Sequence, residues 1–506
     1  MKFDIAAWGA EISPDRPAVW FNGRWHTYGD LNDRAVRLAN RLAEMGVAPG
    51  DRVGIVALNH IAHIDLLFAA PKLGFVCVPF NGRLTATELR ILATQTRPLF
   101  ALADQRHFAL TQEAFDCQIV QLADYREWLA YGSRQPIEPP PLSPDSVQMM
   151  LFTSGSTGRP RAAMITYGQM AANTRGTAMG WELGVEDCAI QATPCFHAAF
   201  NVLTTPLLAV GGRVILMSQF EPGEYLRLLR SFGPTLMFMV PSMYHALSEH
   251  AAFAATDFSK VRWAISGGAP CPMAVIRAYA SAGIRFKQGY GLTEAGVNCF
   301  GISADEAAEK PDSVGRPLPH VEAAIRREDG SICNDYEIGE LTLAGEAVCA
   351  GYFEQPQEWG EVFCDGWLWT GDLAERDARG LYFIRGRRKE MYIAGGENVY
   401  PAEVEMALCQ YPSVVEAAVI GVPDGARGEA GHAVVVPLPG MTLDQDALLA
   451  AMAERLARYK LPKSIEFVVT LPRTATGKVD KLELRRRYED RETAAVVEEA
   501  LEPGAH

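Results

Sequence analysis

The chain has 506 residues, of which 48% are hydrophobic and 21% are charged, and its formal net charge is -14. These proportions exclude a disordered chain and supply a sizeable core, which at this length is expected to be shared among more than one domain. The acidic balance argues against nucleic acid or an anionic membrane surface as the main partner, because both need a basic face.

The first part of the chain alternates helical and strand patterns. Residues 31–45 carry apolar side chains at helical spacing, Gly46 follows as a stop, and residues 53–57 read as a short buried strand. This order predicts an α/β architecture with a largely parallel sheet. Residues 132–146 are rich in proline and serine and are predicted to be an exposed connection.

From about residue 390 the pattern is that of a separate small domain. A helix is predicted from Pro401 to Leu408, and Thr442 is predicted to cap a second helix. Strands are predicted at residues 414–422, 433–436 and 465–469.

The ends and the cysteines indicate the compartment. The sequence Met1-Lys2-Phe3-Asp4 has no apolar run behind it, unlike a signal peptide, and no apolar stretch is long enough to cross a membrane. The ten cysteines form no C-x-x-C pair and have no zinc spacing with histidine. We therefore expect a cytoplasmic protein with reduced thiols and no membrane span.

A loop rich in glycine and hydroxyl groups follows the apolar strand predicted at residues 147–152. The loop reads Thr153-Ser154-Gly155-Ser156-Thr157-Gly158-Arg159-Pro160-Arg161. Glycines let backbone N–H groups approach an anion, hydroxyls add donors, and arginine forms charge-assisted bonds to phosphate. The loop is not a Walker A motif, because a proline and a predicted strand follow where a helix would begin. On composition alone, a hydroxyl-rich β-turn without a ligand remains an alternative.

This loop resembles the phosphate-binding loop of the adenylate-forming superfamily, which contains acyl- and aryl-CoA synthetases, peptide-synthetase adenylation domains and firefly luciferase. Further segments that resemble the family's motifs follow in the family's order over nearly the whole chain, at residues 194–197, 266–270, 288–294, 369–372, 395–401 and 471–478. One departure is Arg161-Ala162, where the family usually has lysine and glycine; arginine keeps the charge but not the geometry.

The resemblance implies an ATP site with Mg²⁺. The implied ATP-binding residues are Thr153, Ser154, Gly155, Ser156, Thr157, Gly158, Arg161, Gly268, Ala269, Pro270, Gln288, Gly289, Tyr290, Gly291, Asp372 and Arg387. Asp372 would hold the ribose hydroxyls, and Thr293 would donate to the α-phosphate. Glu294, a hard oxygen ligand, and Thr157 would hold the metal ion.

The resemblance also implies sites for an acid and for coenzyme A. His197 would position or gate the acid, whose predicted apolar pocket consists of His197, Phe200, Gly268, Gly291 and Val297. Both a medium-length aliphatic acid and an aryl acid fit such a pocket. Gly395, Gly396, Lys460 and Lys463 would contact CoA. Lys389 would be the hinge between domains, and Lys478 the catalytic lysine.

The implied fold is α/β, with a large N-terminal domain, residues 1–388, of layered sheets and helices with a β-barrel-like subdomain. A small, mobile α+β domain would follow at residues 389–506. The implied function is that of an acyl-CoA synthetase, which converts a carboxylic acid to acyl-AMP and then to the CoA thioester.

Two alternatives and the state of assembly stay open. A free-standing adenylation enzyme could load a carrier protein, although the residues after Lys478 are too few for a fused carrier domain. A non-catalytic nucleotide-binding protein is the alternative of another class, and a homodimer is left open.

Overall fold

The computed structural model describes residues 4–154, 160–394, 396–424, 428–441, 443–474 and 478–489. The helices are α1 (Ile5–Ile12), α2 (Tyr28–Glu44), α3 (Ile61–Leu73), α4 (Ala86–Thr96), α5 (Phe108–Ala114), α6 (Tyr125–Ala130), α7 (Tyr167–Gly180), α8 (Thr204–Ala209), α9 (Pro222–Phe232), α10 (Pro241–Ser248), α11 (Met273–Ser281), α12 (Ala304–Glu309), α13 (Pro356–Gly360), α14 (Pro401–Cys409) and α15 (Gln445–Ala453). Residues 481–489 are also helical. Within these ranges, no helix combines the length and the apolar character needed to cross a bilayer.

The strands, also in chain order, are β1 (Pro17–Phe21), β2 (Arg24–Thr27), β3 (Arg52–Val56), β4 (Val76–Phe80), β5 (Phe100–Ala103), β6 (Gln118–Gln121), β7 (Val147–Ser154), β8 (Pro160–Thr166), β9 (Cys188–Gln191), β10 (Arg213–Leu216), β11 (Leu236–Met239), β12 (Trp263–Ser266), β13 (Phe286–Gln288), β14 (Phe300–Gly301), β15 (Arg316–Pro317), β16 (Glu322–Arg326), β17 (Gly339–Ala344), β18 (Phe363–Cys364), β19 (Trp367–Arg376), β20 (Tyr382–Arg387), β21 (Tyr392–Ala394), β22 (Glu397–Val399), β23 (Val414–Asp424), β24 (Gly428–Pro437) and β25 (Ser464–Phe467). They form sheets of seven, six, five, five and two strands.

The chain divides into two compact units. The first comprises Met1–Pro270, Tyr279–Ala324 and Thr342–Thr370, and the second comprises Cys271–Ala278, Ile325–Leu341 and Gly371–His506. The second unit extends back to Gly371 and includes two earlier segments, and the predicted domain boundary after residue 388 stays a prediction. The hinge at Lys389 stays a prediction about motion.

Two largely parallel sheets form the framework of the first unit. Their strand orders are β13-β12-β11-β9-β10-β1-β2 and β6-β5-β3-β4-β7-β8, and only the β1–β2 and β7–β8 pairs are antiparallel. Helices connect the parallel strands, so the predicted α/β architecture is confirmed. The predicted first helix is α2, which begins with a reciprocal cap between Thr27 and Asp30. The predicted exposed connection at residues 132–146 contains no helix or strand.

The second unit has a smaller sheet, mostly antiparallel, with the order β22-β21-β24-β23 and with β25 beside β24. The helices α14 and α15 supply Val404, Leu408 and Leu448 to a core that also contains Val419 and Val435 of the sheet. The predicted helix and strands are therefore present. The predicted cap Thr442 lies outside the described residues, and the N-cap of α15 is Asp444.

A buried ion pair joins α2 to α3 in the first unit. Asp65 is 1% exposed and accepts hydrogen bonds from Arg34 Nε at 2.9 Å and Nη2 at 2.6 Å, and from Tyr125 Oη at 2.9 Å. We expect Asp65→Ala to lower the free energy of unfolding by about 3–5 kcal/mol, because the Arg34 charge would stay buried without its partner. The measurement is urea denaturation followed by circular dichroism.

Asp33→Ala is the matched control, since Asp33 forms an ion pair with Arg37 on the same helix but its side chain is 38% exposed. An exposed pair of this kind contributes at most about 1 kcal/mol. Equal losses in the two variants would contradict the assignment of stability to the buried pair.

Candidate active site

An antiparallel hairpin flanks the predicted phosphate loop. Thr153 at the end of β7 pairs with Arg161 in β8, and Ser154 pairs with Pro160. The strand β8, not a helix, leaves the loop, as the sequence predicts. The four central residues of the prediction lie outside the described residues: Gly155, Ser156, Thr157 and Gly158.

Arg161, the departure from the family's usual lysine, is buried in the first unit. It is 6% exposed, its guanidinium carbon lies 5.1 Å from the centre of the Tyr352 ring, and its Nη2 lies 3.9 Å from Glu361 Oε2. A planar guanidinium can stack on an aromatic face, whereas a lysine ammonium is a compact point charge. The arginine at position 161 therefore has a cation–π partner, the Tyr352 ring.

Tyr352 also contacts the predicted metal ligand. Its hydroxyl donates to Glu294 Oε1 at 2.9 Å. Burial, and then the Glu294 carboxylate, raise the pKa of Tyr352 well above its usual value, against an opposing effect of Arg161. The phenol is therefore protonated at neutral pH and is the donor. Sequence reasoning missed Tyr352, since no motif links two residues so far apart in the chain.

The Glu294 carboxylate fits a role as a magnesium ligand. Oε1 accepts from Tyr352, and in the described part of the chain Oε2 has no hydrogen-bond partner. No cluster of three or more His, Cys, Asp or Glu side chains at metal-binding spacing occurs among the described residues. Magnesium bound together with nucleotide phosphates needs only one or two protein carboxylates, so a single carboxylate suits this ion.

Two predicted nucleotide loops lie side by side at the ends of adjacent parallel strands. β12 pairs with β13, and the Gly289 N–H donates to the Ser266 carbonyl at 2.7 Å just beyond them. The residues Gly268, Ala269 and Pro270 are exposed after β12, and the segment 288–291 is half-buried after β13. In open α/β sheets, ligands bind at this carboxyl edge of the strands.

Close packing fixes the second of these loops. The Gln288 amide donates to the Pro311 carbonyl at 2.7 Å, and the Tyr290 ring lies edge-on to Phe300 at 5.7 Å. A Cβ on Gly291 would lie 2.3 Å from the Val297 carbonyl oxygen. Glycine is required at this point of the loop, and Gly291 and Val297, both predicted to line the acid pocket, are in contact.

The other predicted pocket residues lie beside a core of the first unit. His197 caps the short 3-10 helix Ala198–Asn201, and its Nδ1 accepts from the Ala199 N–H at 3.2 Å. Phe200 is 2% exposed and belongs to the hydrophobic core, against which Val297 packs. The roles of His197 and Phe200 toward an acid stay predictions.

In the second unit, Asp372, predicted to hold ribose, and Arg387, predicted to bind ATP, are cross-strand partners. Arg387 Nε lies 3.0 Å from Asp372 Oδ1, with Asp372 buried and Arg387 exposed. Next to them, Glu340 accepts from the Gly371 N–H at 2.9 Å and pairs with Arg388 at 3.1 Å. Burial raises the pKa of Glu340. The sequence gives no signal for Glu340, which anchors the strand that presents Asp372.

The predicted lysines of the second unit differ in their surroundings. Lys478 is exposed, and its carbonyl accepts from the Thr474 N–H at 2.8 Å. Lys389 is exposed in the short 3-10 helix Arg388–Glu390. The Lys460 ammonium lies 2.7 Å from a Glu403 oxygen, and that of Lys463 lies 2.6 Å from an Asp424 oxygen. Binding of CoA phosphates by Lys460 and Lys463 would compete with these carboxylates.

The glycines predicted to contact CoA lie between β21 and β22. Gly395 lies outside the described residues, and Gly396 has a φ of 90° in the left-handed region, which favours glycine. Lys481, which the sequence did not single out, bonds Glu390 at 2.6 Å and Glu405 at 2.8 Å. Burial alone would lower the pKa of Lys481, but the two carboxylates outweigh burial and raise it. These two ion pairs link Glu390, the residue next to Lys389, to Glu405 in α14.

Parallel sheets with glycine-containing loops at the carboxyl ends of their strands are the arrangement in which open α/β proteins bind ligands. A model of the AMP-binding enzyme family matches residues 6–353, and a model of the AMP-binding enzyme C-terminal domain matches residues 403–478. The chain belongs to the AMP-binding enzyme family. The family expected from the motifs is thereby confirmed. The expected enzyme class is confirmed as well, because the similar proteins include named CoA ligases.

Individual relatives are similar over almost their whole length. Feruloyl-CoA synthase of Amycolatopsis sp is 40% identical over 486 residues, which are 95% of this chain and 97% of the relative. Indoleacetate–CoA ligase of Aromatoleum aromaticum is 33% identical over 94% of this chain and 96% of the relative. The crystal structure of ATP-bound MatB from Rhodopseudomonas palustris has a TM-score of 0.89 and 31% identity, and it covers 97% of this chain and 99% of that one.

Proposed function

We propose that this protein activates an aromatic carboxylic acid with ATP and transfers the acyl group to coenzyme A. The observation that carries the proposal is the 40% identity, over 95% of the chain, to a feruloyl-CoA synthase. A second relative, at 33% identity, also acts on an acid with an aromatic ring. The apolar surroundings of Phe200 and Val297 support such a substrate, because a planar ring needs apolar contact area.

In the first step, a carboxylate oxygen of the acid attacks the α-phosphorus of ATP, and pyrophosphate leaves. Both reactants are anionic, so catalysis requires charge neutralisation and positioning more than proton transfer. We assign hydrogen bonding of the α-phosphate to Thr293 and charge neutralisation to Arg161 and Lys478. Mg²⁺, held by Glu294 and Thr157, would neutralise phosphate charge. His197 would orient the acid.

In the second step, the CoA sulfur attacks the carbonyl carbon of the acyl-adenylate, AMP leaves, and the thiol proton is released. We propose that rotation at Lys389 lets the small domain serve both steps, with Lys478 in the first and the Gly395-Gly396 segment in the second. Domain motions of this kind take microseconds to milliseconds.

The substrate acid is identified by comparing acids that carry an aromatic ring with aliphatic acids. Ferulate, cinnamate, indoleacetate, octanoate and malonate are compared by ATP–pyrophosphate exchange and by release of AMP with CoA. We expect at least one aromatic acid to exceed octanoate by about 10-fold or more in kcat/KM, because a pocket shaped for a ring loses contacts with a flexible chain. Octanoate as the best acid would contradict the aromatic assignment.

The acceptor is tested in the same assay by replacing CoA with a phosphopantetheinylated carrier protein. Faster transfer to the carrier would favour the free-standing adenylation enzyme. Absence of exchange with every acid, together with retained ATP binding, would favour a non-catalytic nucleotide-binding protein.

A further inference from the structure

Tyr352 lies in a segment that is bonded to both halves of the candidate ATP site in the first unit. The Phe353 N–H donates to the Ala162 carbonyl in β8 at 2.8 Å, and Ala163 and Tyr352 form an antiparallel bridge. At the other end of the segment, the Cys349 N–H donates to the backbone carbonyl of Glu294 at 2.7 Å. The backbone of residues 349–353 thus connects the strand after the phosphate loop to the predicted metal ligand.

The side chain of Tyr352 makes the same connection. It is 5% exposed, the Trp359 ring lies edge-on to it at 5.2 Å, and Arg161 covers its face. The ring therefore has little freedom to move, and its hydroxyl is held 2.9 Å from Glu294 Oε1. A carboxylate with one oxygen fixed in this way presents its other oxygen in a defined direction.

We propose that Tyr352 is a positioning residue that orients the Glu294 carboxylate toward the metal ion accompanying ATP. The inference rests on the proposed function in so far as that function includes ATP with a divalent cation. Hydrogen bonds to ligating carboxylates set their orientation, and their removal typically costs about 10- to 100-fold in metal affinity or activity. Arg161 stabilises the Tyr352 ring in this arrangement, which gives the arginine a second role besides charge.

The test is Tyr352→Phe, which keeps the ring and its packing and removes only the hydroxyl. ATP binding is measured by intrinsic tryptophan fluorescence with Mg²⁺ and with EDTA, and the ratio of the two affinities is the readout. We expect Tyr352→Phe to lower this ratio about 10-fold or more while affinity for metal-free ATP stays within about 2-fold of wild type. An unchanged ratio would overturn the proposal.

Tyr28→Phe is the matched control, because it also removes a buried phenol hydroxyl, which bonds the Gly212 carbonyl at 2.8 Å. It should lower stability and leave the ratio as in wild type; a fall equal to that of Tyr352→Phe would overturn the proposal.

In a Glu294→Gln background, Tyr352→Phe should cause no further fall in the ratio of the two affinities, since both changes act on one interaction. A further fall of similar size would show that Tyr352 does not act through Glu294.

The readout contains neither acid nor CoA. It therefore reports on Tyr352 independently of which acid or acceptor the protein uses. A wild-type protein that binds ATP equally well with and without Mg²⁺ would overturn this inference together with the metal-dependent part of the proposed function.

Discussion

Lys478→Ala should lower the rate of acyl-adenylate formation by about 100-fold or more and leave thiolysis of supplied acyl-adenylate within a few-fold of wild type. The physical reason is that a positioned cation stabilises the charge that develops at the α-phosphate only in the first step; loss of one such donor typically costs about 100- to 1000-fold in kcat. The two half-reactions are measured separately, by pyrophosphate exchange and by AMP release from synthetic adenylate with CoA.

Two further variants sharpen this experiment. Lys478→Arg keeps the charge but replaces a compact ammonium with a broad planar group, and we expect it to recover only part of the lost rate. Lys260→Ala removes another exposed lysine, in the first unit, and should leave both half-reactions unchanged. Equal loss of the two half-reactions in Lys478→Ala would contradict the assignment of Lys478 to adenylation alone.

The sequence could predict those parts of the site that depend on local chemistry. A glycine-rich loop between two strands follows from residue type and spacing, and β7 and β8 are the strands that flank it. The glycines that follow β12 and β13 are identified by the resemblance of residues 266–270 and 288–294 to the family's motifs. Asp372 and Arg387, which the resemblance to the family also identifies, form a cross-strand pair between the consecutive strands β19 and β20. These features need no knowledge of how distant segments pack.

The unpredicted parts depend on tertiary contacts. Tyr352 reaches Glu294 only because residues 349–353 are hydrogen-bonded both to β8 and to the backbone of Glu294. Lys481 and Glu340 are ordinary charged residues by sequence, and partners brought to them by folding make them structural anchors. The carboxylates that pair with Lys460 and Lys463 are likewise invisible in a one-dimensional pattern.

The boundaries of some strands also depend on tertiary contacts. Only residues 433–436 of β24 have a continuous apolar pattern, but the strand begins at Gly428, because pairing with β23 extends through glycines that carry no side-chain signal. At Gly431 a Cβ would lie 2.4 Å from the Tyr392 hydroxyl oxygen, so a larger residue there would have to displace the Tyr392 side chain.

Gly291→Ala is expected to reduce pyrophosphate exchange by about 100-fold. The added Cβ would lie 2.3 Å from the Val297 carbonyl oxygen and 3.1 Å from that of Gly296. These are backbone atoms, so no change of rotamer can relieve the contact, and the loop must move by about 1 Å to restore an ordinary van der Waals distance. A displacement of that size at a catalytic group can cost about 100-fold in rate. The moved residues would include Thr293 and Glu294, which lie two and three residues further along the chain.

Gly184→Ala provides the matched control, because a Cβ at that position has no atom within 4 Å and the backbone is outside the left-handed region. This variant should keep wild-type exchange, and its thermal midpoint should differ little, whereas overpacking in Gly291→Ala costs about 1–3 kcal/mol. A Gly291→Ala variant that is folded and exchanges pyrophosphate within about 2-fold of Gly184→Ala would show that the loop tolerates the displacement. In that case the contact between Gly291 and Val297 would not be what holds Thr293 and Glu294 in their catalytic positions.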